Sequence, residues 1–122
     1  MLEIKNVDVH IEGMHVLKDI NLEVKKGEFV SLIGSNGAGK STIMNTIAGL
    51  RHPAAGSILF KGEDISHLRA NQICERHISV VPEGRRLFQE MSVEENLLMG
   101  AYIYRKDSAR IQKNLQWIYS RF

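Results

Sequence analysis

The sequence predicts an α/β fold in which a glycine-rich loop joins a buried strand to a helix. Three observations carry this. Residues 28–33 (EFVSLI) are an apolar-rich run of strand length, the composition of a parallel strand covered on both faces. Residues 41–50 (STIMNTIAGL) set Ile43, Met44, Ile47, Ala48 and Leu50 at helical spacing, with Gly49 where a helix stop is expected. Between them runs Gly34-Ser35-Asn36-Gly37-Ala38-Gly39-Lys40-Ser41, which bridges the two.

That bridge has the form G-x-x-x-x-G-K-S, the P-loop signature. Gly34, Gly37 and Gly39 open backbone conformations closed to other residues. Successive N–H groups can then point inward and form an anion-binding concavity. The helix that follows adds its positive dipole end and its unpaired N–H groups. In such a loop Lys40 reaches the β- and γ-phosphates, the Ser41 hydroxyl ligates Mg²⁺, and Thr42 bonds the α-phosphate. The expected ligand is therefore a magnesium nucleotide.

Upstream, residues 2–11 alternate through Ile4, Val7, Val9 and Ile11, and the next segment alternates through Leu17, Ile20, Leu22 and Val24 before a Lys26-Gly27 turn. Both read as antiparallel strands with one buried face. Downstream, His52 to Gly56 is a turn, and residues 57–65 read as a short hairpin about Lys61-Gly62. Residues 68–77 form a short helix with Leu68 and Ile73 inward, and residues 78–84 a short strand ended by Pro82 and Gly84. Ser92 and Glu95 make a capping box that starts a helix carrying Val93, Leu97, Leu98 and Ala101 on one side. Residues 107–122 are an amphipathic helix with Ile111, Leu115, Ile118 and Phe122 on one stripe.

Composition narrows the function. The chain has 122 residues, enough for one domain or less, and 43% are hydrophobic, as in ordinary globular chains. The formal net charge is +2, from 16 basic and 14 acidic residues, which predicts neither a nucleic-acid nor a membrane-surface role. Cys74 is the single cysteine, so no intramolecular disulfide is available. The five histidines are scattered, without metal-ligand spacing. No run approaches the roughly 18–20 apolar residues of a membrane span, and the charged N-terminal stretch is no signal peptide.

Along its whole length the chain resembles the ATP-binding subunit of an ABC transporter. The segments that carry the likeness are residues 2–50, "GSILFKGEDI" and "ISVVPEGRRLFQEMSVEENLLMGAY". "VPEGRRLF" is the string that makes it resemble the LivF-type ATPase of branched-chain amino-acid importers. The resemblance implies a P-loop NTPase of the ABC type, as an N-terminal part of one ATPase domain. Residues 1–27 would be the antiparallel β region and residues 28–84 the P-loop strand, helix, hairpin and Q-loop strand of the parallel sheet. Residues 85–122 would start the helical subdomain.

It also implies roles. Ser35 to Thr42 form the phosphate cradle. Glu83 stands where the family usually has the Q-loop glutamine, touching Mg²⁺ and the attacking water. A carboxylate there could ligate Mg²⁺, but it would repel the γ-phosphate unless the metal intervened. Ile11 stands where an aromatic usually stacks on adenine, with His10 beside it; an aliphatic side chain covers a base without π-stacking. Arg85 and Arg86 follow the Q-loop position, facing either the partners or solvent.

The implied partners are membrane permease subunits, a second ABC ATPase subunit and, indirectly, an extracytoplasmic binding protein. The implied location is the cytoplasmic face of the inner membrane. The sequence contains no apolar strand ending in Asp-Glu and no Ser-Gly-Gly signature. The expectation is therefore nucleotide binding with negligible turnover from these residues alone, hydrolysis belonging to the intact parent. Without partners for residues 28–33, the chain is expected to expose apolar edges and to be marginal by itself. Two rivals remain: a non-catalytic nucleotide-binding or interaction module, and an ABC ATPase serving another cargo such as lipopolysaccharide export.

Overall fold

A computed structural model describes residues 1–84 and 86–122; Arg85 lies outside the described residues, and its expected role with it. Two compact units form, residues 1–80 and 81–122.

The first unit is a four-stranded antiparallel sheet of order β2-β1-β3-β4, with two short helices. Strand β1 (Leu2–Ile11) turns at Glu12 and Gly13, both at positive φ, into β2 (Met14–Val24). Paired positive-φ residues give the primed turn whose twist matches a tight hairpin. Strand β3 (Ala55–Phe60) pairs with the other edge of β1, and Lys61-Gly62, again both at positive φ, turns it into β4 (Glu63–Asp64). The alternation in the sequence becomes one apolar face. Ile4, Val7, Val9, Leu17, Ile58 and Phe60 are buried on it together with Ile65 and Ile73.

Helix α1 (Lys40–Ile47) and helix α2 (Ala70–Glu75) supply Ile43, Ile47 and Ile73 to the same cluster. α1 ends as the sequence indicates. Gly49 at φ +70° lets its N–H reach Thr46 O at 3.1 Å and the Leu50 N–H reach Asn45 O at 2.9 Å, a Schellman closure. α2 is tied to β4 by a two-pronged ion pair between Arg76 and Glu63, whose Nε–Oε2 arm is 3.0 Å. That pair holds the Glu63 carboxyl below its ordinary pKa and the Arg76 guanidinium above its own.

At the end of β4 a buried serine replaces a ladder contact. Ser66 Oγ accepts from Ile58 N–H at 2.8 Å and donates to Asp64 Oδ1 at 2.5 Å. The Ser66 hydroxyl and then its backbone N–H hold the Asp64 carboxyl below its usual range. Ser66→Ala would leave the Ile58 N–H buried without its acceptor, at a cost of about 1–3 kcal/mol. A urea titration that shifts by less than about 0.3 kcal/mol would show that the serine is dispensable.

Two segments correct the expected pattern. Residues 28–33 and 78–84 form no strand among the described residues. Instead of being buried in a parallel sheet, Phe29 and Ile33 are 92% and 95% exposed. The apolar pattern reports a preference for burial, whereas a strand needs a neighbour to hydrogen-bond. The four strands that do form pair among themselves.

The second unit is helical: α3 (Val93–Gly100), a 3₁₀ turn (Tyr102–Tyr104) and α4 (Ser108–Tyr119). The expected capping box is present. Ser92 Oγ accepts from Glu95 N–H at 3.2 Å, and Glu95 Oε2 accepts from Ser92 N–H at 2.7 Å. Asn96 ties the preceding segment to α3, accepting from Phe88 N–H at 3.0 Å and donating to Phe88 O at 3.0 Å. The stripe on α4 is only partly covered: Leu115 is buried, Ile111 and Ile118 are half-buried, and Phe122 is exposed.

The Ser92 backbone N–H, followed by its hydroxyl, keeps the Glu95 carboxyl below its ordinary range. A carboxyl whose folded pKa is depressed stabilises the fold above its unfolded value, and that contribution disappears as pH falls through the folded value. The Ser92 amide resonance should therefore titrate below the unfolded glutamate pKa of about 4.3, and Glu95→Ala should remove that acid transition. An unchanged titration in the variant would assign it to another group.

Candidate functional site: the glycine-rich loop

The loop is positioned from both ends. At its entry, β2 closes in a turn where Lys25 N–H donates to Glu28 Oε2 at 2.7 Å and Glu28 N–H to Lys25 O at 3.2 Å. At its exit Gly39, at φ +91°, caps α1 and is buried against β2. A Cβ on Gly39 would lie 2.7 Å from Leu17 Cδ2, a side chain of the sheet core. The left-handed φ, together with this close approach, favours glycine at position 39.

Between these anchors the backbone folds on itself. Ala38 N–H donates to Ser35 O at 3.2 Å, and Gly37 sits at φ +83°. A Cβ on Gly34 would come within 3.3 Å of Ala38 Cβ, so the first glycine closes the ring. Residues 35–38 and Ser41 are exposed, Gly39 is buried, and Lys40 and Thr42 are half-buried.

Lys40 is the first residue of α1, and its ammonium reaches back over the loop to donate to Gly34 O at 2.7 Å and Ser35 O at 2.6 Å. An ammonium has three donors in a compact head, so the cation is held at the loop. The first turn of α1 contains no acidic residue, and nothing there opposes the helix dipole or the lysine charge. A loop with two glycines at positive φ, a helix N-terminus and a tethered ammonium together suit a phosphate chain.

Ser41 is exposed in the same turn, and Thr42 O accepts from Thr46 Oγ1 at 2.7 Å. Among the described residues no cluster of three or more His, Cys, Asp or Glu could hold a metal. The Ser41 hydroxyl stands where it could ligate a magnesium ion that takes other oxygens from phosphates and water, the usual manner in which that ion binds.

The other candidates stand apart. Ile11 ends β1 opposite Met14, half-buried against the apolar cluster. His10 beside it stacks on His15 across the hairpin, ring centroids 4.3 Å apart, and His15 Nε2 lies 3.3 Å from Asp8 Oδ1. Sequence reading treats these histidines as scattered; their spacing across the Glu12-Gly13 turn was the signal for the pair. The Asp8 carboxyl is held below its usual range by the Asp19 backbone N–H, at 2.7 Å, and then by His15. Glu83 is exposed and belongs to the second unit.

These features define a P-loop nucleotide-binding fold. An ABC transporter family profile matches residues 17–121, so the chain belongs to the ABC transporter family. It is 46% identical over 112 residues to the high-affinity branched-chain amino acid transport ATP-binding protein BraG of Pseudomonas aeruginosa, covering 92% of this chain and 48% of that protein. It is also 39% identical over 99 residues to the sulfate/thiosulfate import ATP-binding protein CysA of the same organism, covering 81% of this chain and 29% of the other.

Among solved structures it resembles a nucleotide-free ATP-binding cassette of an ABC transporter, with a TM-score of 0.75 and 30% identity over 81% of this chain and 39% of that one. A dimeric cassette in a post-hydrolysis state bound to ADP and Pi matches 95% of this chain and 55% of its own length, at TM-score 0.75 and 28% identity. The chain thus spans about half the length of BraG and 29% of CysA. No helix among the described residues is long and apolar enough to cross a membrane.

Proposed function

We propose that this chain carries the ATP-phosphate-binding part of a subunit that powers membrane transport, and that the whole protein hydrolyses ATP. The observation that carries the reading is the glycine-rich loop seated on Leu17 through Gly39, with the Lys40 ammonium drawn over it. In this reading residues 34–39 and the first turn of α1 bind the triphosphate. Lys40 neutralises the β- and γ-phosphates, Ser41 supplies a ligand to Mg²⁺, and Thr42 supports the α-phosphate. Mg²⁺ supplies charge neutralisation between the phosphates. Ile11 covers one face of the base, and Glu83 acts at the Q-loop position. Permease subunits and a second ATPase subunit are the partners, at the cytoplasmic face of the membrane, with an extracytoplasmic binding protein acting indirectly.

Branched-chain amino-acid import is the cargo reading, supported by the likeness to BraG at 46% identity. Sulfate or thiosulfate import is the second reading, supported by the likeness to CysA at 39%. Equilibrium binding of Mg-ATP to the 122-residue chain tests the nucleotide reading. Saturable binding that Lys40→Ala removes is the expected result. Binding unaffected by that substitution, or no binding at all, would withdraw the loop as the site in this chain.

A further inference from the structure

Asn36-Gly37 lies in the glycine-rich loop and is the one Asn-Gly step in the sequence. Ser35 O accepts from Ala38 N–H at 3.2 Å, so Asn36 and Gly37 are the two central residues of a turn. Gly37, at φ +83°, takes its second central position, as in a type II turn. The peptide that links the two central residues has no part in the turn's own hydrogen bond. No hydrogen bond engages the Asn36 carboxamide or the Gly37 N–H among the described residues. Both residues are exposed, and even an added Cβ on Gly37 would meet nothing within 4 Å. Asn6, Asn21, Asn45, Asn71, Asn96 and Asn114 lie instead in strands or helices, and none of them precedes glycine. There the regular backbone, held by ladder or helix bonds, resists ring closure.

We propose that Asn36-Gly37 is a self-modification site, at which Asn36 deamidates to aspartate and isoaspartate and so disables the loop, and that a phosphate chain bound there shields it. Asparagine is among the thermolabile side chains, and a following glycine puts no side chain in the way of attack. Base removes the Gly37 amide proton, and the nitrogen attacks Asn36 Cγ. The Cγ–Nδ2 bond breaks, and Nδ2 leaves as ammonia after taking up a proton. Water then opens the cyclic imide. Cleavage of the new Cγ–N bond leaves aspartate in an ordinary backbone. Cleavage of the original peptide C–N bond leaves isoaspartate, with the main chain running through Cβ and Cγ. The balance is one water consumed and one ammonia released, with no change of oxidation state. Aspartate sets a carboxylate against a bound phosphate chain, in a loop whose other charge is the Lys40 ammonium. Isoaspartate adds a main-chain carbon inside the ring that Ala38 N–H closes on Ser35 O. The shielding rests on the nucleotide reading above, whereas the conversion needs only this chain and water.

The test holds the 122-residue chain at mildly alkaline pH, with and without Mg-ATP, and samples it over time. Peptide mapping by mass spectrometry reads the exchange of NH₂ for OH at each asparagine, and electron-transfer fragmentation separates isoaspartate from aspartate. The expected result is conversion at Asn36 ahead of every other asparagine. Its rate should be within about tenfold of the rate in urea, because an open surface loop needs little local unfolding. At a nucleotide concentration roughly a hundred times Kd, the free fraction, and the rate with it, should fall about a hundredfold. Asn36→Asp, made directly, should bind Mg-ATP at least about tenfold more weakly than the parent. Asn36→Gln, whose longer side chain closes the ring far more slowly, should keep its mass. No conversion at Asn36 in the native chain, or conversion spread evenly over the asparagines, would overturn the proposal. So would an unchanged rate in a chain that titration shows to be saturated, or an Asn36→Asp protein that binds as the parent does. A fresh chain that converts at Asn36 but binds no Mg-ATP would uphold the modification and withdraw the nucleotide reading, with the shielding that rests on it.

Discussion

Lys40→Ala is expected to weaken Mg-ATP binding about a hundredfold, the equivalent of roughly 2.7 kcal/mol. The ammonium is the one cationic side chain in residues 34–42, and it donates to Gly34 O and Ser35 O at 2.7 and 2.6 Å. A hydrogen bond to an ionised partner contributes about 1.5–3 kcal/mol, so one strong phosphate contact accounts for most of the loss. Alanine also releases the two carbonyls that the ammonium draws together, so the ring at the loop entry loosens in the same variant.

Lys40→Arg separates these effects. It keeps the charge but replaces a compact head with a planar fork, and it should recover only part of the affinity. Isothermal titration at fixed magnesium concentration measures both variants, with a urea titration of each as the control. A Lys40→Ala protein that melts earlier but binds Mg-ATP as tightly as the parent would reduce the lysine to a loop staple.

The elements readable from sequence are those whose causes are local. The capping box needs only Ser92 and Glu95, three residues apart, and both of its bonds form. The Lys61-Gly62 turn needs two residues that reach positive φ, and both do. The shape of the glycine-rich loop is legible for the same reason, since it depends on glycines at fixed offsets and a lysine at the start of the helix. Features that depend on a distant partner were not legible. Apolar content in residues 28–33 indicates burial but cannot supply the strand that would provide it. The two stacked histidines are five residues apart, and only the hairpin register brings them face to face.

The bulge in β1 is the clearest case. Through Ile4, Val7, Val9 and Ile11 the apolar alternation of residues 2–11 breaks between Ile4 and Val7, without showing what holds the break. The observed pairing slips between Ile4 and Val7 on one side and between Lys5 and Asp8 on the other. Asn6 sits at the slip at φ +48°, its N–H donating to Asn21 Oδ1 at 3.0 Å and its amide to Asp19 Oδ1 at 2.7 Å. That polar bracket joins Asn6 on β1 to Asp19 and Asn21 on β2, so no short window of sequence displays it.

Gly56→Ala is expected to remove about 3–5 kcal/mol of stability, because the bulge leaves no room for a side chain opposite it. Gly56 sits in β3 at φ +83°, and a Cβ there would lie 2.3 Å from Asn6 O and 2.4 Å from Lys5 O. Both obstacles are backbone atoms held by the strand pairing and by the Asn6 bracket, so neither can rotate away as the end of a side chain could. Gly62 is the matched control. It has φ +85° with nothing within 4 Å of an added Cβ, so Gly62→Ala carries the conformational strain of about 1–2 kcal/mol without the collision.

The difference between the two variants, about 2–3 kcal/mol, isolates the clash from the strain. A domain typically has about 5–15 kcal/mol of stability in total. Gly56→Ala should therefore lower the urea midpoint of the sheet far more than Gly62→Ala, and at low native stability should leave the sheet unfolded in water. Equal midpoints for the two variants would show that β1 and β3 can part at the bulge at little cost, and that the close approach of Gly56 to Asn6 is not a constraint on the fold.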